Sequence, residues 1–235
     1  MKGLFICLLA LLSKLAVAQN SQLTWVWQFA AKAADSILLP GHTYINIHGE
    51  QLTVRAFKFY VSHLEVAGKD EVFHSLGDST YLVDLADTTS QNIVLQQAVA
   101  QPAFVRFTIG VDSNKNTEGV QTGTLDPARG MFWTWNSGYI MARLEGRSPA
   151  SGAPGHYCTY DVGGFREGEC SNRTVTLQLP AIAGDHIVIA ADALRFFYGA
   201  HTVTIAQHPV CHEPGALAMQ LADNYAGMFY IAAER

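Results

Sequence analysis

The apolar positions of this chain recur at every second residue far more often than at helical spacing. Leu23, Trp25, Trp27 and Phe29 alternate with Thr24, Val26 and Gln28. Val105, Phe107 and Ile109 alternate with Arg106 and Thr108, and Val175, Leu177 and Leu179 with Thr174, Thr176 and Gln178. Successive strand residues point to opposite faces, so each run predicts a strand with one buried face. Shorter runs predict strands at 43–47, 52–66, 81–85, 93–95, 187–191 and 203–205. The stretch Arg129-Gly130-Met131-Phe132-Trp133-Thr134-Trp135 leads into Ile140, Ala142 and Leu144 on one side and Tyr139, Met141 and Arg143 on the other, ending at Gly146. It predicts a strand with two indoles near its head, on one face if the strand already runs there. That pair either anchors the core or borders a binding or redox site.

Pro40-Gly41 and His48-Gly49-Glu50 mark turns. Residues 72–77 read as a loop, 112–127 as a polar loop, and 147–165 as a long loop rich in Gly, Pro and Ser. The period changes at the end. Leu217, Leu221, Tyr225 and Met228 recur at helical spacing behind Pro214-Gly215, with Gln220, Asp223 and Asn224 on the other side. About ten short strands and one closing helix predict a mainly β protein: an antiparallel β-sandwich with long loops and one C-terminal helix.

The first residues are set apart from this pattern. Lys2, the apolar run 4–12 and Ala16-Val17-Ala18 form a secretory signal with a small-x-small cleavage site, so the expectation is removal of 1–18 and a single domain over 19–235. Lys14 interrupts the apolar run and argues against a retained membrane span. The expected location is the periplasm, the cell surface or the medium. The net charge of −5 becomes more negative once Lys2 and Lys14 leave, which argues against nucleic acid or anionic lipid as partner.

Candidate chemistry sits in three places. Asp112, Asn114, Asn116 and Asp126 put oxygen donors along the polar loop, as a calcium loop does or as a series of Asx turns does. His201, His208, Cys211 and His212 gather ahead of the closing helix, and His156 lies two residues before Cys158; imidazole and thiolate suit copper(I) or zinc. Cys158 and Cys170 flank a Gly-rich loop and form the expected disulfide, which leaves Cys211 over. Nucleophile elbows, H-E-x-x-H, phosphate loops and C-x-x-C are missing from the sequence.

Six segments taken together resemble the MbnP-like family of periplasmic copper-binding proteins, in the form common in Bacteroidetes-type bacteria. They are Phe57-Lys58-Phe59-Tyr60-Val61-Ser62, Gly110-Val111-Asp112-Ser113-Asn114, Gln121-Thr122-Gly123-Thr124-Leu125-Asp126-Pro127, Met131-Phe132-Trp133-Thr134-Trp135-Asn136-Ser137-Gly138-Tyr139, Gly163-Gly164-Phe165 and Ala222-Asp223-Asn224-Tyr225-Ala226-Gly227-Met228-Phe229. The resemblance implies an exported β-rich protein that acquires or handles copper without turnover. It implies copper(I) held by two histidines and a tryptophan oxidised to kynurenine, with a di-haem peroxidase-like partner performing that oxidation.

Relatives often carry a histidine just ahead of the Gly-Gly pair, where this chain has Asp161-Val162-Gly163-Gly164, and a histidine-rich tail, where it has Tyr230-Ile231-Ala232-Ala233-Glu234-Arg235. Asp161 is a hard oxygen donor, poorly matched to copper(I). His212 ahead of Pro214-Gly215 and the two tryptophans remain of the pattern. Either the copper site has moved onto His156, His201, His208, Cys211 or His212, or the fold persists without the metal. In the second case the chain is expected to be a calcium-stabilised surface interaction or carbohydrate-binding module, with Trp133, Trp135 and Tyr139 stacking on a flat ligand.

Overall fold

A computed structural model describes residues 24–96, 99, 101–135, 138–180 and 184–232. The expected signal, its cleavage site and Leu23 lie outside the described residues. The strands are β1 (Thr24–Ala33), β2 (Ser36–Ile37), β3 (Thr43–Ile45), β4 (Gln51–Ala67), β5 (Phe73–Ser75), β6 (Tyr81–Asp84), β7 (Asn92–Gln96), β8 (Phe104–Ile109), β9 (Phe132–Trp133), β10 (Gly138–Arg147), β11 (Tyr157–Gly163), β12 (Arg173–Gln178), β13 (His186–Asp192), β14 (Val210–Cys211) and β15 (Phe229–Ile231). Two α-helices accompany them: the single turn α1 (Ser113–Thr117) and α2 (Ala216–Ala226).

Two curled, mixed sheets enclose the main core in a sandwich-like arrangement. One runs β15-β13-β1-β2, with β7 also on β1. The other runs β12-β8-β4-β10-β11-β14, with β3, β5 and β6 also on β4 and β9 on β10. The alternation read from the sequence sets which side chains meet. Trp25, Trp27 and Phe29 of β1 are buried, and Phe29 meets Phe59 of β4 and Phe107 of β8 edge-to-face at 5.8 and 5.4 Å. Phe229 of β15 closes the cluster against Phe107 at 5.0 Å. A fully buried ring of this kind stabilises by about 2–3 kcal/mol, so the aromatic centre dominates cohesion between the sheets.

The odd members of β4 (Phe57, Phe59, Val61) face this core. Tyr60 faces the other way. There it joins Leu82, Val111, Leu125, Met131, Trp133, Tyr139, Ile140 and Met141 in a second, smaller core on the outside of the β4–β10 sheet. The polar loop after β8 therefore folds back as a lid over this second core and fixes the tryptophan stretch.

Several expectations change. Pairing is mostly antiparallel, but β1–β13 and β11–β14 are parallel; alternation reports a buried face and is blind to strand direction. The long loop expected at 147–165 contains β11, whose Cys158, Tyr160 and Val162 are buried between β10 and β14. Flanking glycines and prolines hid its alternation. The loop expected at 72–77 contains β5, paired with the end of β4. Val203 and Ile205 are buried as expected but lie outside any strand. The closing helix is present as α2, with Leu221 and Tyr225 buried. Asn224, placed on its polar side by sequence, is fully buried instead: its Oδ1 accepts from the His201 N–H, and its Nδ2 donates to the carbonyls of Phe196 and His201.

Candidate functional site

β9 pairs with the head of β10, Trp133 opposite Gly138. The strand ends after Trp133, yet the two indoles still stack, with ring centroids 5.5 Å apart and planes at 37°. Trp133 is buried and lies so close to β11 that a Cβ on Gly163 would sit 2.7 Å from its ring. Trp135 is 63% exposed. Trp133 also borders a narrow crevice with Gly138, Gly164, Phe165 and Pro214. Tyr139 is not part of this surface. It is fully buried, its hydroxyl donates to the Leu125 carbonyl at 2.9 Å, and its N–H donates to Asn116 Oδ1 at 2.9 Å.

Two residues along β11 from Gly163, Asp161 takes a two-pronged hydrogen bond from Arg143 of β10, at 2.6 and 2.8 Å. Burial works against the Arg143 charge, and the Asp161 hydrogen bonds override it, so the guanidinium is held more firmly protonated than usual. His212 stands over the same carboxylate, its Nδ1 3.9 Å from Asp161 Oδ2. Asp161 is thus committed to Arg143.

Cys211 and His212 do not act as one chelate. Adjacent extended residues face opposite ways, and Cys211 is buried in the core while His212 is exposed. His201 is elsewhere, its Nε2 2.8 Å from Asp223 Oδ2 on α2. His156 sits ahead of β11 with its Nδ1 on the Ser151 carbonyl oxygen. His208, exposed, lies just before β14. The five donors expected for copper are therefore spread over separate surroundings, and among the described residues no group of three His, Cys, Asp or Glu side chains forms a metal site.

The expected Cys158–Cys170 disulfide is absent: both thiols are free. Cys158 lies near the start of β11. Cys170 lies beyond its end, where the neighbouring Ser171 N–H donates to the Gly164 carbonyl. Six extended residue steps lead from Cys158 to Gly164, roughly 20 Å, against a reach of about 7 Å for a disulfide.

The polar loop uses its oxygens as caps. Asp112 caps α1 through the Asn114 N–H at 2.7 Å, Asp126 accepts from the Ala128 N–H at 2.8 Å, and buried Asn116 donates to the carbonyls of Val111 and Asp112. Asn114 lies in α1, where its carbonyl accepts from Glu118. These contacts match the Asx-turn alternative and give calcium no support.

One residue escaped the sequence reading. His63 sits at the register break where β4 slips against β8, with φ of 48°. A side chain other than glycine in that region is strained. Its Nε2 is 3.2 Å from Asp112 Oδ2 and its Nδ1 3.3 Å from Ser62 Oγ, and about half of it is exposed. The polar pair Ser62-His63 interrupting the apolar alternation was the available signal.

Against known families, residues 16–213 match MbnP. The chain belongs to the MbnP family. The fold agrees: MbnP from Methylosinus trichosporium superposes with a TM-score of 0.56 at 14% identity, covering 74% of this chain and 76% of that one. No curated protein matches. The MbnP match ends at Glu213, so α2 and β15 lie beyond it. Membership of the MbnP family fits a copper-associated role. Among the described residues no helix is long and apolar enough to cross a membrane.

Proposed function

We propose that this protein is an exported copper-handling protein that works without catalytic turnover. The observation that carries the reading is the MbnP match over 16–213 together with the stacked Trp133–Trp135 pair, one indole buried and the other open to a partner. Trp135 is the indole that a di-haem peroxidase-like partner reaches, because electron transfer to a docked protein favours the exposed ring. Capture draws on the soft donors of this chain: the Cys211 thiol and, in separate surroundings, the imidazoles of His212, His208, His201 and His156. His63, strained and open beside Asp112, joins that set. The protein travels through a cleaved leader at 1–18 to the periplasm or the cell surface.

The test is a titration of the purified mature protein with copper(I) against a competing chelator. Stoichiometric uptake supports the reading, and no uptake ends it. A carbohydrate-binding surface module draws on the exposure of Trp135 alone. An affinity for glycans lost in Trp135→Ala, in a protein indifferent to copper, would favour that alternative.

A further inference from the structure

Cys158, Tyr160 and Cys211 enter the core side by side. Residues two apart on a strand face the same way, so Cys158 and Tyr160 share a face of β11. Tyr160 and Cys211 are partners in the parallel β11–β14 register and share that face too. All three belong to the main core, with exposures of 0%, 0% and 5%. Diagonal neighbours on adjacent strands lie about 7–8 Å apart. That exceeds the roughly 4.4–6.8 Å of an unstrained disulfide, in keeping with two free thiols. It suits two thiolates sharing one ion: metal–sulfur bonds of roughly 2.3 Å place the sulfurs within about 5 Å of each other.

The Tyr160 hydroxyl is buried and has no hydrogen-bond partner, whereas buried phenols ordinarily find one. The Cys158 and Cys211 sulfurs and the Glu50 carboxylate are the acidic groups around it. A neutral thiol is a weak acceptor and a thiolate a strong one, so the orphan donor gains a partner once a thiol loses its proton. Burial keeps both thiols protonated when no cation is near, pushing Cys158 up to about 11 and Cys211 up to about 12. Cys211 is the member nearest solvent: it lines a cavity of about 470 Å³ with His212, Pro214 and the first turn of α2.

We propose that Cys158 and Cys211 form an internal two-thiolate copper(I) site, with the Tyr160 hydroxyl donating to one of the sulfurs. This deepens the copper reading above and rests on it. Binding is ligand exchange without electron transfer: two S–Cu bonds form, two S–H protons leave to solvent, and copper stays in the +1 state. Two soft donors satisfy this ion, so three converging side chains are unnecessary.

X-ray absorption of the reduced wild-type protein carrying one equivalent of copper(I) tests the site without any variant. A first shell of sulfur alone is expected. A shell of nitrogen or oxygen without sulfur overturns the thiolate site and leaves the copper reading standing; no uptake at all overturns both. In parallel, Cys158→Ala and Cys211→Ala are each expected to weaken copper(I) affinity on the order of 100-fold, with folding checked by circular dichroism, while His74→Ala, at an exposed position of β5, is expected to change it little. Folded cysteine variants that keep wild-type affinity overturn the proposal.

Discussion

Gly163 decides how closely Trp133 can lie on β11. A methyl there would stand 2.7 Å from both the Trp133 ring and the Tyr139 carbonyl oxygen, and the latter is backbone that has little room to move. Gly163→Ala is therefore expected to lower stability by about 1–3 kcal/mol through overpacking. Urea unfolding followed by tryptophan emission measures this; an unchanged midpoint would mean the indole is free to swing away. His63 poses the opposite case. Its left-handed backbone is disfavoured for an L-residue by roughly 1–2 kcal/mol, and glycine takes it without strain. Its exposed pair with Asp112 is worth about 0–1 kcal/mol in return. His63→Gly is expected to leave stability unchanged or raise it by up to about 1 kcal/mol, whereas glycine at an ordinary position of β4 would lower it. A large loss on denaturation would show that the ring's bonds to Ser62 and Asp112 hold the register break. Neither constraint was written in residue type alone. Gly163 reads as one of a loop-like Gly-Gly pair, and His63 as a surface histidine, until the register places them.

At the scale of elements, legibility followed the length of an uninterrupted pattern. β1, β8 and β12 were readable because each alternates through several residues and turns one face to the core, and β10 because its apolar pattern runs unbroken even though both faces of its first half are buried. β11 was not, since Gly155 and Gly163-Gly164 bracket it and Tyr157 to Val162 mix polar and aromatic types. Missing β11 had consequences for the site, because it is the extended backbone of β11 that separates Cys158 from Cys170 and puts Cys158 on the same face as Cys211, one diagonal away. α2 was legible from its period, but its anchoring was not. Asp223 receives Arg173 at 2.7 Å and His201 at 2.8 Å, tying the helix to β12 and to the turn at 201. Burial alone would raise the Asp223 carboxyl; the hydrogen bonds from His201 and Arg173 overcome it and hold it below the usual range. A lowered carboxyl contributes stability that is full above the unfolded value of about 3.9 and lost as pH falls through the folded one. Asp223→Asn is thus expected to be less stable than wild type near neutral pH, by under about 1 kcal/mol because the side chain is over a third exposed. The two proteins should converge in acid as pH falls below the ordinary carboxylate value and on through the lowered folded one. Thermal unfolding across that range checks the sign, and a gap that widens in acid would refute it.

For the whole molecule, the two parallel pairings do what alternation could not announce. β13 against β1 and β14 against β11 bring late segments onto earlier strands, closing the first sheet and seating Cys211 beside Tyr160. Copper affinity as a function of pH then separates the two kinds of site this architecture offers. An imidazole site competes with protons only near the ordinary histidine value of about 6.5, so its affinity flattens above roughly pH 7.5. The thiol pair behaves differently, because burial holds Cys158 and Cys211 at about 11 and about 12. Each bound copper(I) must displace two protons throughout the neutral and mildly alkaline range, and affinity should climb about 100-fold per pH unit between roughly pH 7 and 9. The measurement is a chelator competition at several pH values, with the chelator's own protonation accounted for. A slope near two protons assigns copper to the interior of the sandwich. A flat profile assigns it to surface imidazoles and removes the thiols from the function.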